Sequence, residues 1–222
     1  MDLNALRSFA IDSRRQLLKN VRFRIDHVLS ENSTASRENP KAINQLENKI
    51  NISSKEQLSE EVAYTWFNRF TALQYMDING FNDVKVILPS KGKTRPEILS
   101  NAISGVFDNS YISENTQNLI SSLLDGRSIS KNPEEDSYRL LILSICNRLH
   151  SKMPFLFERI ADYTELLIPD DLLSKTSIIT KIREVMTIDN CQDVEVVGWL
   201  YQFYIAEKKD EVFADLKKNI KI

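Results

Sequence analysis

Glycine and proline are scarce in this chain, five and six residues out of 222. Tight-turned β architectures draw heavily on both, so the shortage favours helices. The two cysteines (Cys146, Cys191) and two histidines (His27, His150) are scattered along the sequence, which leaves no metal-ligand spacing. Both cysteines sit among apolar residues of expected helices and read as reduced, buried thiols. No apolar run approaches the roughly 20 residues needed to cross a bilayer. The longest, 140–146, is seven residues and contains Ser144. The opening MDLNALRSFAIDSRR lacks the basic-then-apolar pattern of a signal peptide, so the expected location is the cytoplasm with no membrane contact. A net charge of −2 gives no global pull toward nucleic acid, and any DNA contact has to come from a local patch.

What the chain does have is helical periodicity. In EVAYTWFNRFTALQYMDINGF (61–81), Val62, Ala63, Trp66, Phe67, Phe70, Leu73 and Met76 recur at three- and four-residue steps. Ser53 with Glu56 reads as a capping box, and Asn79-Gly80 as a left-handed stop, so a long central helix is expected over about 54–79. Similar patterns predict helices over about 2–29 and 41–50. Thr94 with Glu97 reads as a further cap, and Ser113 as the cap of a helix ended by Asp125-Gly126, with Leu119 among its buried residues. Asn132, Pro133 and Glu135 supply a cap, a first-turn proline and an acid for the next helix. Further helices are expected around 155–167, after Asp170 acting as a cap, and from about Asp193 onward. Residues 84–88 form either one short strand or an extended connector, and Lys91-Gly92-Lys93 reads as a basic surface turn. The fold class is therefore mainly α: a multi-helix, bundle-like domain of about nine helices with at most one short strand, and 126–132 is the best internal seam.

The first helix carries the best local patch. Residues 7–24 hold six basic side chains (Arg7, Arg14, Arg15, Lys19, Arg22, Arg24) against one acid, Asp12. Leu3, Leu6, Ala10, Leu17, Val21, Ile25 and Val28 define its apolar side, while Arg15, Lys19 and Arg22 follow another line at steps of four and three. A helix presenting such a row can contact a phosphate backbone, and Arg7, Arg14, Arg15, Lys19 and Arg22 are the candidate DNA-backbone contacts. The alternative is a solvated face with snorkelling arginine stems. Trp199 and the Tyr201/Phe203/Tyr204 cluster could stack on bases, but no basic residue interleaves with them, which favours core packing.

Three blocks carry a family resemblance: VAYTWFNRFTALQYMD with NGF (62–81), MPFLFERIADYTELLIPDDLL (153–173) and IDNCQDVEVVGWLYQFYIAEKKDEVF (188–213). In this order they resemble the amino-terminal region of the adenine-specific DNA methyltransferases of bacterial BREX phage-defence systems, the PglX family. The resemblance implies a longer enzyme in which a methyltransferase core and a target-recognition region follow this segment. It also implies S-adenosylmethionine as cofactor of the whole protein and antiviral defence as its role. Residues 1–222 would be a helical head that braces the core, contacts DNA, or docks other BREX proteins or a DNA-mimicking phage inhibitor. A free-standing helical adaptor working through protein contacts is the alternative.

Amino-methylation of adenine needs a loop, typically Asn or Asp followed by Pro-Pro and an aromatic, whose carbonyls accept the amine hydrogens while the aromatic stacks on the extruded base. Here Asn39-Pro40 and Asn132-Pro133 are followed by Lys41 and Glu134, without a second proline or an aromatic. A glycine-rich cofactor loop after a strand is missing as well. No catalytic, cofactor-binding or metal-binding residue of the family carries over onto this chain, and the segment by itself is expected to be no enzyme.

Overall fold

The computed structural model describes residues 1–30, 39–154, 157 and 162–219. Among them lie nine helices and no ladder-forming strand. They are α1 (Leu3–Val28), α2 (Pro40–Ser53), α3 (Lys55–Ile78), α4 (Glu97–Ile103), α5 (Glu114–Leu124), α6 (Pro133–His150), α7 (Asp162–Leu166), α8 (Ile178–Val185) and α9 (Glu195–Asn219). The mainly α expectation holds. Residues 84–88 form a connector of bends, and the only β-type pairing nearby is an isolated bridge between Pro89 and Pro96. No described helix is long and apolar enough to cross a membrane. Of the helix expected around 155–167, Asp162–Leu166 is helical, while 155, 156 and 158–161 lie outside the described residues.

α3 is the hub. Trp66, Phe67, Phe70, Leu58, Ala63 and Leu73 are fully buried, and the helix packs against α1, α2, α8 and α9. Phe67 meets Phe9 of α1 at 5.9 Å and Tyr204 of α9 at 4.8 Å between ring centroids. The apolar stripe understates this burial, because Ser59, Arg69, Thr71, Gln74 and Asp77 are buried too. Most of these groups find partners within the fold: Ser59 donates to Lys55 O, Thr71 to Phe67 O, Gln74 through its amide nitrogen to Met186 O at 2.9 Å, and the Arg69 guanidinium lies 4.9 Å over the Trp66 ring. Burial is tolerable for such groups only when a partner replaces water.

The helix ends show where local rules decide and where tertiary contacts overrule them. Asn79-Gly80 stops α3 as expected: Gly80 has φ +70 and Phe81 N–H reaches back to Met76 O at 2.9 Å. Ser113 and Asn132 cap α5 and α6, and Gly126 ends α5 with φ +72. The start of α3 is shifted by one residue from the expected box. α2 runs through Ser53, whose hydroxyl donates to Lys49 O, and Ser54 is the cap, accepting from Gln57 N. Ser54 holds φ +82, an unfavourable value for a side-chain-bearing residue, because a single non-helical residue must redirect α2 into α3. Thr94 caps nothing: α4 starts after Pro96, and the Thr94 carbonyl instead receives Arg183. Asp170 also caps nothing. Ser177 caps α8, while Asp170 is bound by Arg24 and Arg139. Leu119, expected inside, is 46% exposed, because α5 buries chiefly Ile120 and Leu123.

Two buried carboxylates organise the irregular segments. Asp77, in the last turn of α3, accepts from Asn82 Nδ2 (2.7 Å) and from the backbone of Val86, Ile87 and Leu88 (3.0, 2.6 and 2.9 Å). Glu135 reaches away from its own helix start and accepts from Leu172 N and Leu173 N at 2.6 and 3.2 Å. Tyr138 pins the first of these loops to α6 by donating to Val86 O at 2.9 Å.

Cys146 and Cys191 are both buried, and burial pushes their thiols up to about 12 and about 11. A thiolate is the reactive form. Titration with a chromogenic thiol reagent at mildly alkaline pH is therefore expected to find no fast-reacting cysteine in the folded chain and two after denaturation. Rapid labelling without denaturant would contradict this packing.

Candidate nucleic-acid interface

α1 separates its charges by face. Its core side buries Leu6, Ala10, Leu17, Val21, Ile25 and Val28 against α3, α8 and α9. Arg14, one of the candidate DNA contacts, falls toward this buried side and is 1% exposed. Its Nη2 donates to Glu60 of α3 at 2.6 Å, and Nη1 lies 3.8 Å from Glu207 of α9. The side chain cross-links three helices and is withdrawn from any phosphate, so Arg14 leaves the set of candidate contacts. Its position in sequence, next to Arg15, does not reveal this, since adjacent residues of a helix point about 100° apart.

The other candidates are exposed. Arg7 lies against α9, its guanidinium 5.2 Å over the Phe203 ring. Arg15 is 67% exposed and donates from Nε to Glu207 at 2.8 Å. Lys19 and Arg22 are exposed with no ion-pair partner among the described residues. Arg15, Lys19, Phe23 and His27 stand at successive four-residue steps and so form one row up the helix. Phe23 is 66% exposed, and its ring stacks on His27 with centroids 6.4 Å apart and planes 4° from parallel.

Beside this row runs an open groove of about 620 Å³ between α1 and the segment from Asp170 to α8. Gln16 spans its floor, donating to Thr176 O at 3.0 Å and accepting from Lys181 Nζ at 2.6 Å. The far wall carries acids, but Asp170 is held by Arg24 (3.3 Å) and Arg139 (2.9 Å) and presents little free charge. Burial, then the nearby Arg139 guanidinium, lower the Arg24 pKa, and Asp170 offsets part of that shift. Asp171, with φ +64, accepts the Ser174 hydroxyl at 2.7 Å. The groove thus offers Lys19 and Lys181, with Arg15 paired to Glu207 at its edge, against one carboxylate not held by an arginine, Asp171.

Sequence reading missed the aromatic in this row and the opposite wall. Phe23 had a usable signal: it is a large aromatic off the apolar stripe of α1, four residues from Lys19 and next to Arg22. Lys181 and Thr176 had none, because only the tertiary fold brings them to α1. The carboxyl-terminal aromatics divide: Phe203 and Tyr204 are buried, Trp199 packs against the core, and Tyr201 is 47% exposed with its edge on Tyr64. No group of acidic, histidine or cysteine side chains suited to a metal occurs among the described residues.

No family model matches the chain. It is 39% identical over 166 residues to the adenine-specific methyltransferase BrxX of Escherichia coli O9:H4 (strain HS), a match covering 74% of this chain and 13% of that protein. It is 27% identical, over an alignment 253 positions long with gaps, to the adenine-specific methyltransferase PglX of Lacticaseibacillus casei (strain Zhang), covering 98% of this chain and 21% of that protein. The chain therefore spans less than a quarter of the length of either curated relative. The chain thus matches, through most of its own length, one segment of the adenine-specific methyltransferases named BrxX and PglX, and is a PglX-family domain.

Proposed function

We propose that this chain is a non-catalytic helical head of an adenine-N6 DNA methyltransferase of a cytoplasmic BREX anti-phage system, and that it contacts the DNA backbone through α1. The observation that carries the first half is the 39% identity to BrxX, whose name states adenine-specific methylation. The second half is supported by Lys19 and Arg22, exposed and without ion-pair partners among the described residues, in line with Arg15. Cations left unpaired on one helix face can exchange their counterions for phosphates.

The chemistry of methyl transfer falls to other parts of such an enzyme. Asn132, one of the two Asn-Pro asparagines, spends its side-chain carbonyl capping α6, where it accepts from Glu135 N. The described residues form helices and irregular connectors, with no parallel sheet among them at whose carboxyl edge a nucleoside cofactor could sit. S-adenosylmethionine would bind in the remainder of the longer enzyme, and the head would brace that core while holding duplex DNA by its phosphates.

The test is to incubate the chain with an adenine-containing duplex and methyl-labelled S-adenosylmethionine while following duplex binding by fluorescence anisotropy. Binding without label transfer is the expected result. Methylation by this chain alone would overturn the non-catalytic reading, and no binding at low salt would overturn the DNA-contact reading.

A further inference from the structure

The row Arg15–Lys19–Phe23–His27 contains more than phosphate contacts need. A face that only binds a duplex backbone requires cations, and base pairs of an intact duplex keep their ring faces buried against one another. Phe23 is nonetheless held out in solvent, 66% exposed, with its ring ordered parallel to His27. It opens onto the groove that Lys19 and Lys181 line. Leu3 and Phe23 are the exposed large apolar side chains of α1, and they lie at opposite ends of it. A protein-docking patch would need contiguous apolar area. A single aromatic among cations instead has the makeup of a single-strand binding site, in which basic side chains follow the backbone and an aromatic face takes a base.

We propose that Phe23, backed by His27, is a stacking platform for one unstacked base of single-stranded DNA whose backbone runs along Arg15, Lys19 and Lys181. This rests on the reading of α1 as a DNA-contacting face. The spacing is suitable: Lys19 and Phe23 are one helical turn apart, about 5–6 Å between their Cβ atoms, close to the rise from a phosphate to the base of its own or the next nucleotide. Asp171 is the acid facing the groove that no arginine holds, and Asp26, on the turn above Arg22, is engaged by Lys55.

The experiment compares the chain with Phe23→Ala, Phe23→Leu and Phe23→Trp for binding a single strand carrying 2-aminopurine and a duplex of the same sequence. Anisotropy reads affinity, and 2-aminopurine emission reads stacking. The expected result is a loss of single-strand affinity of about tenfold in Phe23→Ala, a similar loss in Phe23→Leu, and retention in Phe23→Trp. The emission change on binding should vanish in the Ala and Leu variants, and duplex affinity should stay at the parent value. Single-strand binding by Phe23→Ala equal to the parent would overturn the stacking role while leaving the backbone contacts in place. Retention by Phe23→Leu would also overturn it, because an apolar contact without a ring face is what a protein partner would use. Failure of the parent chain to bind either DNA would remove the underlying reading and this inference together.

Discussion

Replacing Asp77 with alanine is expected to destabilise the fold by roughly 3–5 kcal/mol, since the change strands several buried donors at about 1–3 kcal/mol each. Its carboxylate receives Asn82 Nδ2 and the consecutive backbone amides of Val86, Ile87 and Leu88, in a site where Asp77 itself is 3% exposed. Burial pushes the carboxyl above its ordinary range, and the bonds from Asn82 and the three amides pull the other way. Asp77→Asn keeps one acceptor oxygen but turns an amide N–H₂ toward backbone N–H groups, so it should recover only part of the loss. Chemical denaturation followed by circular dichroism checks both variants. A change within about 0.5 kcal/mol, the range of an ordinary surface substitution, would show that the 82–96 segment does not depend on this carboxylate.

This same residue marks the boundary of what could be read beforehand. The central helix, its aromatic stripe and its Asn79-Gly80 stop were legible because they depend on spacing and local backbone preference. Asp77 sits four residues after Leu73 and beside Met76, a buried register position in the wrong end of a helix for a negative charge. An acid in that place signals a specific partner, but the partner is a loop whose irregular course no period encodes. Glu135 follows the same logic. It has the position of a capping acid, yet a loop 37 residues away claims its carboxylate. At the candidate interface the charge row was legible and its membership was not: Arg14 and Arg15 are neighbours in sequence, but one is a buried cross-link and the other 67% exposed.

Reversing three charges of the row, in the variant Arg15→Glu/Lys19→Glu/Arg22→Glu, is expected to lower duplex affinity by roughly a hundredfold or more at moderate salt, because three phosphate contacts become repulsions. The fold should tolerate it. Lys19 and Arg22 have no ion-pair partner among the described residues; Arg15 is 67% exposed, and its less exposed partner Glu207 keeps a second cation, Arg14, at 3.8 Å. Thermal unfolding of the variant should stay near that of the parent, which separates lost contact from lost structure. The corresponding Gln variant should bind with intermediate affinity, since it removes attraction without adding repulsion. Arg14→Gln would behave in the opposite way, with stability falling because Glu60 and Glu207 lose their shared cation.

The most direct measurement is the salt dependence of duplex binding by the unmodified chain, set beside that of the triple charge-reversal variant. With three phosphates engaged, log K should fall against log salt with a slope of about −3 for the parent. The variant should show weak binding and a slope near zero. A parent slope near zero, or parallel slopes for the two proteins, would contradict the assignment of α1 as the DNA-backbone face.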